Sequence, residues 1–432
     1  MKPASFHRIL IGAAAVALAL APSGGEAQAP EDAAAVLERA LAAHARGDLA
    51  GAIAEYTALT LSTIASPEQR ARALFERGVA WGQMGQPEKE IADYAALLQM
   101  PNAPLEEKAK ALYNRGLVWG SKGDVPKAIA DYSAVIDLAG APVEQRAKAL
   151  YNRGLTWGEQ GELDEAVADF SLLIAMPDAP LGQRAKALLI RGRIWGQKRE
   201  SDREIADYTT LIAMADAPAE ERANALFGRA ITWAQRGDGE KEVADYTALA
   251  QMPDAPVEER AKALLNRGAA WDKRGRTEDA ISDYSVIVQM TDAPAEQRAK
   301  ALYNRAVARR QKGDPAKEIA DYTAVIQMRD APAEQKAKAL IDRGAAWGLR
   351  NETAKAIADY SAVVQMLNAP GAERARALYN RAVVYSQKGE TGKAIADLTA
   401  LMQLPDAPAE LKGRAIRERE TLRAKTPAKP AR

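Results

Sequence analysis

Arginine and carboxylate recur along this 432-residue chain in a register able to carry chemistry. Ten arginines, each 38 residues from the next, run from Arg39 and Arg77 to Arg343 and Arg381. An acid stands in step with every one of them: Glu55, then Asp93, Asp131, Asp169, Asp207, Asp245, Asp283, Asp321, Asp359 and Asp397. Guanidinium and carboxylate pair through two hydrogen bonds. Unpaired, such arginines would suit an anionic polymer, but each has its own acid in register. A bridge within a repeat or to the adjacent one is therefore expected, and it specifies helix register more than it adds net stability.

Other chemistry is scarce. Beyond the first 27 residues one histidine remains, His44, and cysteine is absent, so imidazole and thiolate metal sites, disulfides and lipid attachment on sulfur are excluded in practice. Asp178, Asp216, Asp254, Asp292 and Asp330 occur one per repeat, too few for a calcium cage, and helix capping accounts for them. No phosphate-cradling glycine loop occurs, and regular spacing offers no unique carboxylate pair for glycoside hydrolysis. No catalytic, cofactor or metal residue is expected. Trp81, Trp119, Trp157, Trp195, Trp233, Trp271 and Trp347 share one repeat position, with Arg309 and Tyr385 there in two later repeats. An aromatic ladder for a sugar or a choline-like ligand is one reading of them. Packing between stacked repeats is preferred, since large buried rings stabilise most there.

The elements that position these residues follow from the period. Gly47, Gly85, Gly123, Gly161, Gly237, Gly275, Gly313 and Gly389 lie on the same 38-residue grid, with Arg199 and Asn351 at its two other points. A period of this size means stacked supersecondary units, each unable to bury its apolar face alone. With Ala109 as position one, Leu112, Gly116 and Trp119 share one face of a first helix. Gly123 and Asp124 end it and start the next, on which Ala128, Tyr132 and Val135 form the matching face. A loop such as Met176–Pro180 follows, and its second proline, recurring from Pro104 to Pro408, suits a first helical turn. The column Met100, Met176, Met214, Met252, Met290, Met328 and Met366 is expected to fill gaps under that loop. The fold class is all-α: a helical-repeat solenoid of about ten antiparallel helix pairs.

On these residues the unit resembles a tetratricopeptide repeat: large at position four, small at eight, aromatic at eleven, alanine near twenty, aromatic at twenty-four, aliphatic at twenty-seven. It departs from the family in its 38-residue length, against 34, and in arginine at position seven. The resemblance covers roughly residues 33 to 404. It implies a right-handed superhelix with a concave groove lined by first helices. The family's carboxylate clamp, lysine at position five and asparagine at nine, is missing: those positions carry Tyr113 and Leu117, or Tyr151 and Leu155.

A second stripe of the first helix faces the implied groove. Position two is mostly basic, as in Lys110, Lys148, Lys186, Lys262, Lys300 and Lys338. Position five is aromatic or aliphatic, as in Tyr113, Tyr151, Phe227, Tyr303 and Tyr379. These eleven residues form the candidate partner groove, suited to an extended peptide or an amphipathic helix. Glutamates four residues before most of the bases can pair with them locally, and position five can pack on neighbouring helices, so groove and packing stand level.

The chain carries 59 basic and 58 acidic residues. Lys2, Arg8 and Glu26 fall in the first 27 residues, leaving 57 of each, so nucleic acid is not an expected partner. Residues 1–27 read as a signal peptide: a charged start and an apolar run from Ile9 to Ala21, too short to span a bilayer, where ~20 residues are needed. Cleavage after Ala27 or Ala29 would start the mature chain at Gln28 or Pro30, and an exported protein, periplasmic or secreted, is expected. Residues 28–407 form the solenoid, 408–424 a capping helix and 425–432 a disordered tail. The expected function is a non-enzymatic protein-interaction scaffold of the bacterial cell envelope, with a protein or peptide partner and no integral membrane span. Structural self-assembly, end to end, is the alternative, and an enzyme with an unrecognised carboxylate site comes last.

Overall fold

The computed structural model describes residues 32–425, so the proposed signal peptide, both cleavage sites and residues 426–432 lie outside it. Twenty-one α-helices and no strands are found among the described residues. They fall into ten pairs, each a first helix such as Leu181–Gln197 and a second such as Ser201–Ala213, followed by a last helix, Ala409–Lys425. That last helix has the length and grid position of an eleventh first helix. It packs on the tenth pair and buries Ala415 and Leu422.

The turn within each pair is set by backbone geometry. All eight grid glycines have positive φ, for example +84° at Gly161, and so do Arg199 (61°) and Asn351 (60°) at the two points where glycine is replaced. Asp48, Asp238 and Asp314 then cap the second helix through a side-chain oxygen that accepts a backbone N–H.

Between pairs the loop differs from expectation. Its second proline is the N-cap of the next first helix rather than a first-turn residue: Pro180 has φ −53° and ψ 132°, and Pro218 and Pro256 match it. The loop aspartates do not cap, since no side-chain cap bond forms at these helix starts. One of them, Asp254, instead binds Arg222 at 2.6 Å. Directly before each proline sits a buried alanine, such as Ala179 or Ala217, whose N–H donates to the methionine carbonyl three residues earlier. That methionine packs at the core edge, as Met176 and Met214 do.

The described chain divides into two compact parts. One runs to Ala134 with Leu138–Ala141; the other is Val135–Asp137 and everything from Pro142. Within each part consecutive first helices touch, as Pro67–Gln83 touches Leu105–Ser121 and Leu181–Gln197 touches Ala219–Gln235. Consecutive second helices, such as Ser201–Ala213 and Gly239–Gln251, do not. Each part therefore bends toward its first helices, which line the inner side. The core is a run of small clusters, one per repeat: Ala166, Phe170 and Leu173 are fully buried in one, Tyr284 and Ile287 in another. Burying about 150–250 Å² per aromatic ring makes position twenty-four the main anchor of each pair.

Candidate functional site

The arginine–acid column forms as expected, and within the same repeat. Arg191 donates from Nε to Asp207 Oδ2 at 2.8 Å and from Nη2 to Oδ1 at 2.6 Å. Nine of these pairs use aspartates that are at most 7 % exposed, from Asp93 to Asp397. Asp169 beside Arg153 holds the guanidinium pKa above its usual value, although burial opposes the charge. The sequence did not foretell the third bond. Arg191 Nη1 reaches back to Ser171 Oγ of the preceding repeat at 2.7 Å, and Arg229, Arg267, Arg343 and Arg381 do the same to Thr209, Thr247, Thr323 and Ser361. Each of these arginines thus ties two repeats together, so the column is structural. Arg309, at a tryptophan position, adds a second guanidinium to Asp321, which already holds Arg305.

The tryptophans are half-buried, not sealed between repeats. One edge meets the core, as at Trp157, Trp271 and Trp347. A cation from the second helix covers the face in most repeats: Lys89 over Trp81 at 4.1 Å, Lys241 over Trp233 at 4.2 Å, Lys355 over Trp347 at 4.4 Å. No ring is left free to stack on a sugar in those repeats.

The stripe proposed from sequence divides. At position five the rings lie against position twenty-four of their own repeat: Tyr113 on Tyr132 at 6.1 Å, Tyr151 on Phe170 at 6.0 Å, Phe227 on Tyr246 at 5.7 Å, Tyr303 on Tyr322 at 5.6 Å. Tyr303 also donates its hydroxyl to Asp342. Tyr379 packs on the last core cluster, and Leu189 and Ile341 at the same position are buried. The column contributes to the core, with one edge left toward the inner side. At position two, Lys110, Lys148, Lys262, Lys300 and Lys338 each pair with the glutamate four residues before, at 2.5–2.8 Å. Burial opposes the charge on Lys110, yet Glu106 and Glu107 together raise its pKa. Lys186 has Gly182 at that spacing and makes no ion pair among the described residues.

Open space on the inner side lies one helical turn further along. In the first part a recess of about 420 Å³ is lined by Val79, Gly82, Gln83, Glu90, Tyr94, Asn114, Leu117 and Val118. In the second an equivalent recess of about 320 Å³ is lined by Gly154, Leu155, Gly158, Glu159, Leu163, Phe170, Ile190, Arg193, Ile194 and Gln197. Both occupy the junction between consecutive first helices, where glycine at position twelve leaves room. A Cβ on Gly158 would meet nothing within 4 Å, so the space is real. Exposed Leu117 and Ile231, at position nine, continue this apolar strip.

No cluster of three potential metal ligands occurs among the described residues. No described helix is long and apolar enough to cross a membrane. Family models described as tetratricopeptide repeat match residues 120–180 and 375–406. No curated protein sequence matches the chain. Among solved structures it is similar to a tetratricopeptide repeat protein from Parabacteroides merdae, at 19 % identity over 60 % of this chain and 94 % of that one, TM-score 0.38. It is also similar to the C-terminal part of a TPR repeat-containing protein from Cytophaga hutchinsonii, at 15 % identity over 61 % and 98 %, TM-score 0.46. The two family matches lie within the run of ten helix pairs that share one 38-residue period, and the chain is a tetratricopeptide-repeat protein.

Proposed function

We propose that this protein is a non-enzymatic scaffold that binds an extended peptide or an amphipathic helix of a partner protein along the inner side of its first helices. Tetratricopeptide folds commonly serve as protein–protein interaction scaffolds and are typically not enzymes. The observation that carries the reading is the pair of inner recesses, apolar at Leu117 and Val118 in one part and at Leu155, Ile190 and Ile194 in the other. Side chains spaced along a partner helix can enter such recesses, with lysines and arginines at the edges steering the approach. The position-two lysines serve as that edge, and Lys186 and Arg193, exposed and without an acid partner, mark its most basic point. The rings Tyr94 and Phe170 line the recesses, and the position-five rings Phe75 and Tyr151 pack against them. The signal-like residues 1–27 favour export, with partners in the bacterial envelope.

Mutation separates this surface from others. Leu117→Glu and Leu155→Glu should each weaken binding of a partner isolated from an envelope fraction at least tenfold, with helix content unchanged. Leu172→Glu, on a second helix at 54 % exposure, should leave affinity intact. The reverse pattern would move the binding surface to the second helices.

A further inference from the structure

The recess in the first part contains a charge that nothing in the molecule balances. Glu90 sits on the second helix Pro87–Leu98, and its carboxylate lies against Gly82 of the first helix Pro67–Gln83. A Cβ at Gly82 would come 2.6 Å from Glu90 Oε2, so glycine here is what admits the carboxylate to the recess wall. Glu90 makes no ion pair among the described residues. Its one hydrogen bond comes from Tyr94, whose hydroxyl donates to Oε1 at 3.2 Å and accepts from Asn114 Nδ2 at 3.3 Å. Burial raises the Glu90 pKa, the mark of a carboxylate short of compensation. Its counterparts on the grid are less open: Glu204 lies against Gly196 in the same way but is nearly closed off, and Glu318 is 3 % exposed. Glu204 is 9 % exposed and has Tyr208 and Thr232 beside it, and Glu242 lies near Lys273 and Arg274. The second recess has Ala166 at this position and Arg193 instead.

We propose that the Glu90 recess is a subsite for one cationic side chain, lysine or arginine, of the bound protein partner. The assignment rests on the inner side being the binding surface. Val79, Leu117 and Val118 receive the apolar stem, and the ammonium or guanidinium reaches Glu90 at the wall. The Tyr94–Asn114 chain fixes the carboxylate, so the ion pair forms without reorganising the site. An apolar side chain of the same length would fill the walls and leave the charge uncompensated, which gives the subsite its selectivity.

Two peptides test this on the whole protein: acetyl-Ala-Leu-Lys-Leu-Ala-amide, and its counterpart with norleucine for lysine, which keeps the stem and drops the ammonium. Dissociation constants are measured by ligand-observed NMR near neutral pH and low salt. The lysine peptide should bind at least fivefold tighter. Glu90→Gln, which keeps the shape and removes an unpaired charge, should abolish that preference. Glu88→Gln changes the same charge on an exposed acid that pairs with Lys122, and should retain it. Equal binding of both peptides, lost in Leu117→Glu, would remove the cation subsite and leave the inner surface standing. A preference that survives Glu90→Gln, or falls equally in Glu88→Gln, would assign it to general surface charge. Binding of neither peptide overturns the subsite.

Discussion

Replacing Asp207 by asparagine tests whether the arginine column holds consecutive repeats together. Asp207 is 5 % exposed and accepts two bonds from Arg191, at 2.8 and 2.6 Å, while the same guanidinium donates to Ser171 of the preceding repeat at 2.7 Å. Asparagine keeps the shape and removes the charge, so Arg191, only 18 % exposed, is left as a nearly buried cation with neutral acceptors alone, the amide oxygen and Ser171 Oγ. Breaking a buried pair costs about 3–5 kcal/mol, and the residual exposure of the arginine places this case near 3. Glu220→Gln, an exposed change, should cost less than about 0.5 kcal/mol. Urea unfolding followed by circular dichroism gives the total. Native-state hydrogen exchange shows where it falls, which matters because a long repeat array need not unfold in one step. Protection should drop in both the Leu163–Ala175 and Ser201–Ala213 helices, since the arginine spans them. In double-mutant cycles Asp207→Asn with Arg191→Leu should show a coupling of about 2 kcal/mol, and Ser171→Ala with Arg191→Leu about 1. Additive effects in both cycles would refute the linkage. Nature supplies one control: Ala95 replaces the hydroxyl behind Arg115, whose bonds to Asp131 persist at 2.8 and 2.6 Å.

Further expectations follow from the same geometry. Trp157→Ala should cost about 2 kcal/mol in urea unfolding, below the 3–5 of a sealed ring, and Trp233→Ala about 0.5–1 more, because Trp233 also carries Lys241. Tyr151→Ala should lower the melting temperature through lost contact with Phe170, so it cannot serve as a neutral probe of binding. Arg199→Gly should stabilise by about 1 kcal/mol by relieving a side chain at φ 61°, and a Gly161→Ala change should do the reverse. Burial raises the Glu204 pKa above its ordinary 4.5, so above that value the unfolded chain loses the proton first. Stability from this group is greatest at low pH and declines as pH rises through the raised pKa; Glu204→Gln should flatten that decline in melts measured across the acid range. N-terminal sequencing of natively expressed protein should find Gln28 or Pro30, and an intact Met1 would contradict export.

Much of the fold was legible because each repeat restates it. The glycine grid marks ten turns, and the period places Arg191 opposite Asp207 without any knowledge of contacts. What escaped crosses repeat boundaries or depends on what is missing. The hydroxyl at Ser171 belongs to the repeat before its arginine, so reading one unit at a time cannot join them, although Thr209, Thr247 and Ser361 repeat the signal. The position-five stripe was half visible: spacing gave its face, but not that Tyr113 leans on Tyr132. The recesses were hidden because spacing puts Gly82 and Gly158 on the first helix without showing that their lack of a side chain opens the inner surface. Glu90 follows Glu88 and Lys89 in a run that reads as solvated, and only the helix pairing turns it inward.

Site-specific photo-crosslinking locates the surface that meets the partner. With a benzophenone amino acid at Leu155 in one variant and at Leu172 in another, irradiation in an envelope extract should join the Leu155 variant to a discrete partner protein and leave the Leu172 variant unmodified. Crosslinks confined to Leu172, on the second helix, would contradict binding along the inner side of the first helices.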